Sequence, residues 1–402
     1  MSADTLNPSL PELLALSPAI AALRRDIHAH PELSFEEIRT ADLVAQQLAS
    51  WGIEVHRGLG KTGLVGVIQG RPGSRSIGLR ADMDALPITE HNRFDHASKH
   101  PGKMHACGHD GHTAMLLAAA QYLAAHRDFA GTVYLVFQPA EEAGGGAATM
   151  MADGLFARFP MDAIFGMHNW PGMAAGQFAI KPGPCFASSN EFQITIRGKG
   201  CHAAMPHLGV DPVPVACQMV QAFQTIVSRN VRPIDTGVIS TTMIQAGEAT
   251  NVIPDYVTVQ GTVRTFTTEV LDLIEERMRA VAQHTSAAFG ASCEFVFQRN
   301  YPPTVNHHDE TDFVRTVMTE VVGADNVLVF EPTMGAEDIS YYLQEKPGAY
   351  FLIGNGDGTH RNGGHGLGPC MLHNPSYDFN DELIPLGSTL WVKLVQRWLA
   401  QT

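Results

Sequence analysis

Four short apolar runs, "GLVGVIQG", "SIGLRADM", "GTVYLVFQP" and "DAIFGMHN", recur between residues 63 and 169 with helical stretches between them. Their near-continuous apolar character predicts strands buried on both faces rather than half-exposed ones. A helix is expected over 111–126 and a Gly-rich turn at 144–146. Two more helices are read in "LPELLALSPAIAALRRDIHAHP" and "SFEEIRTADLVAQQLASWG". In the second, Ser34 followed by Glu37 gives a capping-box pattern. This alternation predicts an α/β layer whose sheet is largely parallel and flanked by helices.

The rhythm then changes. From "EFQITIRG" to "SCEFVFQRN" the order is strand, helix, strand, strand, helix, strand, the βαββαβ sequence of a ferredoxin-like domain. The expected organisation is a discontinuous catalytic domain, 1–186 with 301–402, carrying an inserted domain at 187–300. At 402 residues, two domains are also the expectation from length.

Charge narrows the partners. Twenty-seven basic against 41 acidic residues give a net −14, and Lys and Arg form no cluster, which argues against nucleic acid and against anionic membrane. A small-molecule substrate is expected; if it is an anion, a specific Arg or a metal must hold it. No basic residue precedes Arg24, and Pro11 and Pro18 interrupt the first apolar stretch, so the N-terminus does not read as a signal peptide. Six scattered cysteines lack the density of a disulfide scaffold and predict a reducing, cytoplasmic setting.

Chemistry-bearing residues fall at or just past the strand ends, where open α/β sheets place their ligand sites. They are Asp82 and Asp84, Cys107 and His109, the pair Glu141 and Glu142, His168, and His373. Neighbouring side chains in an extended chain point apart, so one glutamate of the pair is expected to bind a metal while the other faces a water. Cys107, before a helix start that favours thiolate, has three readings. They are a structural zinc knot shared with "CMLH" at 370–373, a nucleophile partnered by His109 or Asp110, or a ligand in a catalytic metal centre. His112, one turn beyond His109, is expected to hydrogen-bond rather than ligate. His360 and His365, in a Gly-rich loop, are expected to be solvent-exposed, and Cys201 and His207 to be structural.

Eight segments, "LRADMDALPI", "MHACGHDGH", "FQPAEEAGGGA", "GMHNWP", "GKGCHAAMPH", "NVIPD", "GAEDISYY" and "LHNPSYDFND", resemble in order the metal-dependent aminoacylase and carboxypeptidase family. The branch they resemble is that of hippurate hydrolases, N-acyl-amino-acid amidohydrolases and indole-3-acetyl-amino-acid hydrolases. The matching stretches run from about residue 20 to residue 380. The resemblance implies a dinuclear-metal α/β domain with a ferredoxin-like lid and dimerisation domain. It implies Cys107 as a bridging ligand, His109, Glu142, His168 and His373 as the other ligands, and Glu141 as general base. Where the family carries His-x-Asp, this chain has Asp82 and Asp84; the missing ligand is expected to be replaced by His109, and Asp84 to orient a ligand.

The resemblance further implies that His202 reaches the partner's site across a homodimer or tetramer to bind the oxyanion. Asn251 and Arg264 are implied to bind the substrate carboxylate. The implied reaction is hydrolysis of an N-acyl amino acid with two divalent ions, zinc, manganese, cobalt or nickel. A dipeptidase, a carboxypeptidase, and an N-acetyl or N-succinyl deacylase are the alternatives within the family. A non-catalytic metal-binding protein is the alternative outside enzymes.

Overall fold

In the computed structural model, which describes residues 8–361 and 363–401, strands Ala130–Gln138, Arg71–Asp82, Ile164–Pro171 and Gly348–Gly356 lie side by side and parallel. Residues 1–7 of the stretch read as lacking a leader lie outside the described residues. Glu54–Leu59 and Gly63–Gln69 extend one side of the sheet as an antiparallel pair. Two-residue strands Phe178–Ala179 and Val327–Leu328 complete an eight-stranded mixed sheet on the other. The expected α/β class with a largely parallel sheet is what forms.

Burial explains the continuous apolar runs. Ile77, Leu79, Val133, Leu135, Phe165 and Phe351 are all inaccessible, with helices Pro11–Ala29, His109–Ala125 and Leu383–Leu399 contributing to the same core. Helix His109–Ala125 is buried on nearly every side, so it lacks the one-sided pattern of a surface helix. Its small residues Ala118, Ala119 and Ala120 let neighbouring elements approach closely.

The chain divides into two compact units. The first contains the described residues up to Gly183, Val305–Glu331 and Tyr341 onward; the second contains Pro184–Thr304 and Pro332–Ser340. In the second, strands run Gly237–Ala246, Tyr256–Thr265, Ser189–Arg197, Ser292–Tyr301 across one antiparallel sheet. Helices Pro212–Arg229 and Thr268–Ala288 bury Met219, Phe223, Ile274 and Met278 against it. No helix among the described residues is long and apolar enough to cross a membrane.

Candidate metal and catalytic centre

The C-terminal ends of the parallel strands gather the site, all of it within the first unit. Cys107 and Gly108 enter helix His109–Ala125, whose first residue is His109. Gly108 adopts φ 91, and a Cβ there would lie 2.3 Å from Asn169 Nδ2, so this entry demands glycine. Asn169 fixes the loop: its Nδ2 donates to the Cys107 carbonyl at 2.6 Å, while Tyr377 Oη donates to its Oδ1 at 2.7 Å.

Hydrogen bonds determine which histidine nitrogens remain available. His168 Nδ1 donates to the Asn169 carbonyl at 2.5 Å, leaving Nε2 3.3 Å from Cys107 Sγ. His109 Nδ1 pairs with Asp84 Oδ1 at 3.2 Å. Among the described residues its Nε2 is buried without a hydrogen bond, 3.8 Å from Asp82 Oδ2 and 3.9 Å from Glu142 Oε1. A carboxylate bonded behind one imidazole nitrogen, with the other left unbonded and facing further carboxylates, is the arrangement of a metal-ligating histidine. His112 differs: Nε2 accepts from Asn169 N at 2.9 Å, so Nδ1 donates to Asp82 Oδ1 at 2.6 Å and no lone pair remains. Asp82 is further occupied by Arg80 Nη1 at 2.6 Å.

Four groups have donor atoms within 4.8 Å of one another. One, Asp82 with His109 and His112, is closed by the hydrogen bonds of His112 and by Arg80 on Asp82. The other three converge as ligand groups. They are Cys107 with His109 and His168, Cys107 with Glu142 and His373, and His109 with Glu141 and Glu142. Cys107, His109 and Glu142 each belong to two of these three, and the Cys107 sulfur is the atom that links His168 with His373. His373, at φ 59, brings Nε2 to 3.4 Å from Glu142 Oε1. A thiol, imidazole lone pairs and carboxylates suit divalent ions of intermediate softness, and the orphaned His109 Nε2 shows that these residues fit such an ion.

The electrostatics agree. Burial opposes charge on the His109 ring, yet Asp82, Asp84 and Glu142 outweigh it and push its pKa up to about 10. Burial likewise opposes ionisation of Asp84, but the bonds to His109, Ser34 and the Glu142 amide hold its carboxyl below the usual range. Three carboxylates around one imidazole make a site that attracts positive charge. Burial, reinforced by His112, keeps the His168 ring far below its ordinary pKa and so neutral, the form that can donate a lone pair.

Several expectations need correction. Ser34 and Glu37 form no capping box: the helix begins at Ile38 with no side-chain cap, because Ser34 Oγ donates to Asp84 and the Glu37 carboxylate is engaged elsewhere. Glu141 and Glu142 do not diverge from an extended strand. Ala140 takes φ 54 and the chain turns, so that both carboxylates approach His109. Cys370 does not join Cys107 in a zinc knot; its Sγ faces the Asp378 carbonyl at 3.4 Å. His365 is not solvated but pairs with Asp378 at 3.0 Å. Cys107 beside His168 would also serve a nucleophile, but a nucleophile leaves the approach of Glu142 and His373 to the same sulfur unexplained.

The residues expected to bind substrate lie in the second unit. His202 and Asn251 line one cavity of about 890 Å³ together with Tyr256 and Thr258. Its floor is the short ladder in which His202 pairs with Val252. Arg264 is outside that lining, on strand Tyr256–Thr265 opposite Val238. Burial lowers the pKa of its guanidinium, against the opposing pull of Glu191.

Buried support went unrecognised in the sequence. Arg24 is fully enclosed among Asp110 at 3.4 Å, Asp378 at 3.2 Å and Asp381 at 2.7 Å, and His28 bridges Asp110 and Glu90. This network ties the first helix to the helix carrying His109. Among the supporting residues not singled out, Asn169, adjacent to His168 in "GMHNWP", had a local signal.

The profile of peptidase family M20/M25/M40 matches residues 78–397. The chain belongs to this family. The M20 chain is 39% identical over 393 residues to a hippurate hydrolase of Campylobacter jejuni, covering 97% of this chain and 99% of that one. It is 42% identical over 388 residues to an N-acetyl-L-cysteine deacetylase of Bacillus subtilis, covering 96% and 90%. Among solved structures, a dinuclear metal-binding M20 peptidase from Bacillus subtilis superposes with a TM-score of 0.83 at 33% identity, covering 97% of this chain and 100% of that one. The resemblance read from the eight segments is therefore correct, and this M20 chain is a hydrolase acting on amides.

Proposed function

We propose that the chain cleaves N-acyl amino acids to a carboxylic acid and a free amino acid, with two divalent metal ions held by Cys107, His109, Glu142, His168 and His373. The observation that carries this reading is the Cys107 sulfur common to two ligand groups, with Glu141 beside them. The Bacillus subtilis structure described as a dinuclear metal-binding peptidase supports the ion count. When bound, such ions supply Lewis acidity that polarises the amide carbonyl and acidifies a water.

The remaining steps belong to the chain. Glu141 takes the proton of the attacking water and returns it to the leaving nitrogen. Asp84 holds the His109 ring in the orientation that presents Nε2. His202 of the partner subunit, in a homodimer, donates to the developing oxyanion. Asn251 and Arg264 hold the substrate carboxylate and so position the amide. An acidic protein thereby binds an anion through specific donors, and amides lacking the carboxylate are poor substrates.

Glu141→Gln tests the assignment. Turnover of benzoylglycine or of the best substrate in an N-acyl amino acid panel falls at least about a hundredfold, with bound metal unchanged. Turnover at the parental rate contradicts it.

A further inference from the structure

Glu37 is fully buried, and among the described residues its carboxylate meets neutral donors rather than a cation. Oε1 accepts from Phe35 N at 3.0 Å and from Ala140 N at 2.9 Å; Oε2 accepts from Thr62 Oγ1 at 2.6 Å. Enclosing a carboxylate this way is unfavourable, and burial pushes its pKa up to about 7, with nearby Asp84 adding to the effect. The helix that begins after Glu37 gains no side-chain cap from it. Capping therefore does not explain the arrangement.

Its partners suggest what does. Phe35, at φ 65, and Ala140, at φ 54, are both non-glycine residues in the left-handed region, a conformation that persists only where surrounding contacts impose it. Glu37 bonds to the amides of both. Ala140 immediately precedes Glu141, and its left-handed turn is what swings the two glutamates toward His109.

The same short segment grips the turn at two further points. Ser34 Oγ donates to Asp84 Oδ2 at 2.8 Å, and the same oxygen accepts from Glu142 N at 3.0 Å. The Phe35 ring covers Gly144, where an added Cβ would lie 2.6 Å from Cε2; Gly144 itself has φ 115. Contacts thus fall before Glu141, at Glu142, and beyond both.

We infer that Glu37 is a positioning residue for the amide hydrolysis, clamping the strained Ala140 peptide so that Glu141 is aimed at the reacting water. The inference rests on Glu141 being the general base. Glu37 acts through backbone, so what matters is its capacity to accept hydrogen bonds rather than its charge. An amide at this position keeps an oxygen for the Phe35 and Ala140 amides, and its NH₂ can donate to Thr62 Oγ1.

The test compares Glu37→Ala, Glu37→Gln and Thr62→Val with the parent and with Glu141→Gln, recording kcat, KM, bound metal and Tm for each. Glu37→Ala lowers kcat by tens of fold, up to about a hundredfold, the scale on which a misplacement of about 1 Å acts. KM and bound metal stay at parental values. Glu37→Gln recovers kcat to within about threefold because the acceptor is kept. Thr62→Val, which removes one donor and leaves the fold intact, lowers kcat a few fold.

A purely structural role moves Tm alone. Parental kcat in folded, metal-loaded Glu37→Ala overturns the inference, as does equal loss in Ala and Gln variants. Should Glu37→Ala fail to fold, parental kcat in Thr62→Val overturns it. The two readings separate cleanly: an active Glu141→Gln enzyme sinks the general-base assignment, whereas an inactive one beside a fast Glu37→Ala sinks only the clamp.

Discussion

The polar residues of the two units are held in opposite ways. In the first, the buried groups of the candidate centre are fixed by a second residue: His109 by Asp84, His168 by the Asn169 carbonyl, and the Cys107 backbone by Asn169. His373 alone of the proposed ligands is exposed. In the second, His202 is exposed, with Nδ1 accepting from Ala204 N two residues on at 3.1 Å. Asn251 sits in an open cavity, and among the described residues the Arg264 guanidinium makes no hydrogen bond or ion pair. A centre that must hold charge in fixed geometry is built rigidly. The groups proposed to meet substrate keep free hydrogen-bonding capacity.

This contrast predicts a split in mutant behaviour. The largest effect belongs to Cys107→Ser, because the sulfur serves two ligand groups at once. Metal binding and turnover are lost together while circular dichroism and Tm of the metal-free protein match the parent; a variant that keeps metal and rate breaks the bridging assignment. Next comes Asp84→Asn, which weakens the bond orienting His109. Metal affinity measured by competition with a chelator falls about ten- to a hundredfold, the usual size of such support. Parental affinity would show that His109 is held without it.

The smallest effect lies in the second unit. Asn251→Ala and Arg264→Met each raise KM for an N-acyl amino acid by roughly tenfold, a loss of about 1.4 kcal/mol, with bound metal unchanged. A change in metal content in either variant would erase the distinction between the units.

What could be read from sequence follows the same division between local and distant causes. The strands were legible because burial on both faces leaves unbroken apolar runs, as in "GTVYLVFQP". Glu142 and His168 stood out because each follows or ends such a run, and Cys107 because it precedes a helix; with His373 they lie close together in the structure. The one capping pattern read in the sequence, Ser34 with Glu37, misled because the site recruited it. Asp211 and Thr267 cap their helices through Val213 N and Val270 N, whereas Ser34 and Glu37 serve Asp84 and Ala140. The pull of the catalytic turn leaves no local trace in "SFEEI".

The positive φ at Ala140 was hidden for a related reason. Alanine carries no signal for a left-handed turn, which its contacts impose. Arg24 illustrates the extreme: Asp110 and Asp378 are 86 and 354 residues away, so nothing near Arg24 announces that it is buried. His365 was read as a surface loop residue because its partner Asp378 is equally unannounced.

The central claim, that catalysis runs on a metal centre organised around Cys107 rather than on a thiol nucleophile, is tested most directly by chelation of the purified enzyme. The account predicts that removing metal abolishes hydrolysis of the N-acyl amino acid, and that a divalent ion restores it at a stoichiometry of about two ions per chain. Hydrolysis that survives chelation but is lost on alkylation of Cys107 would contradict it.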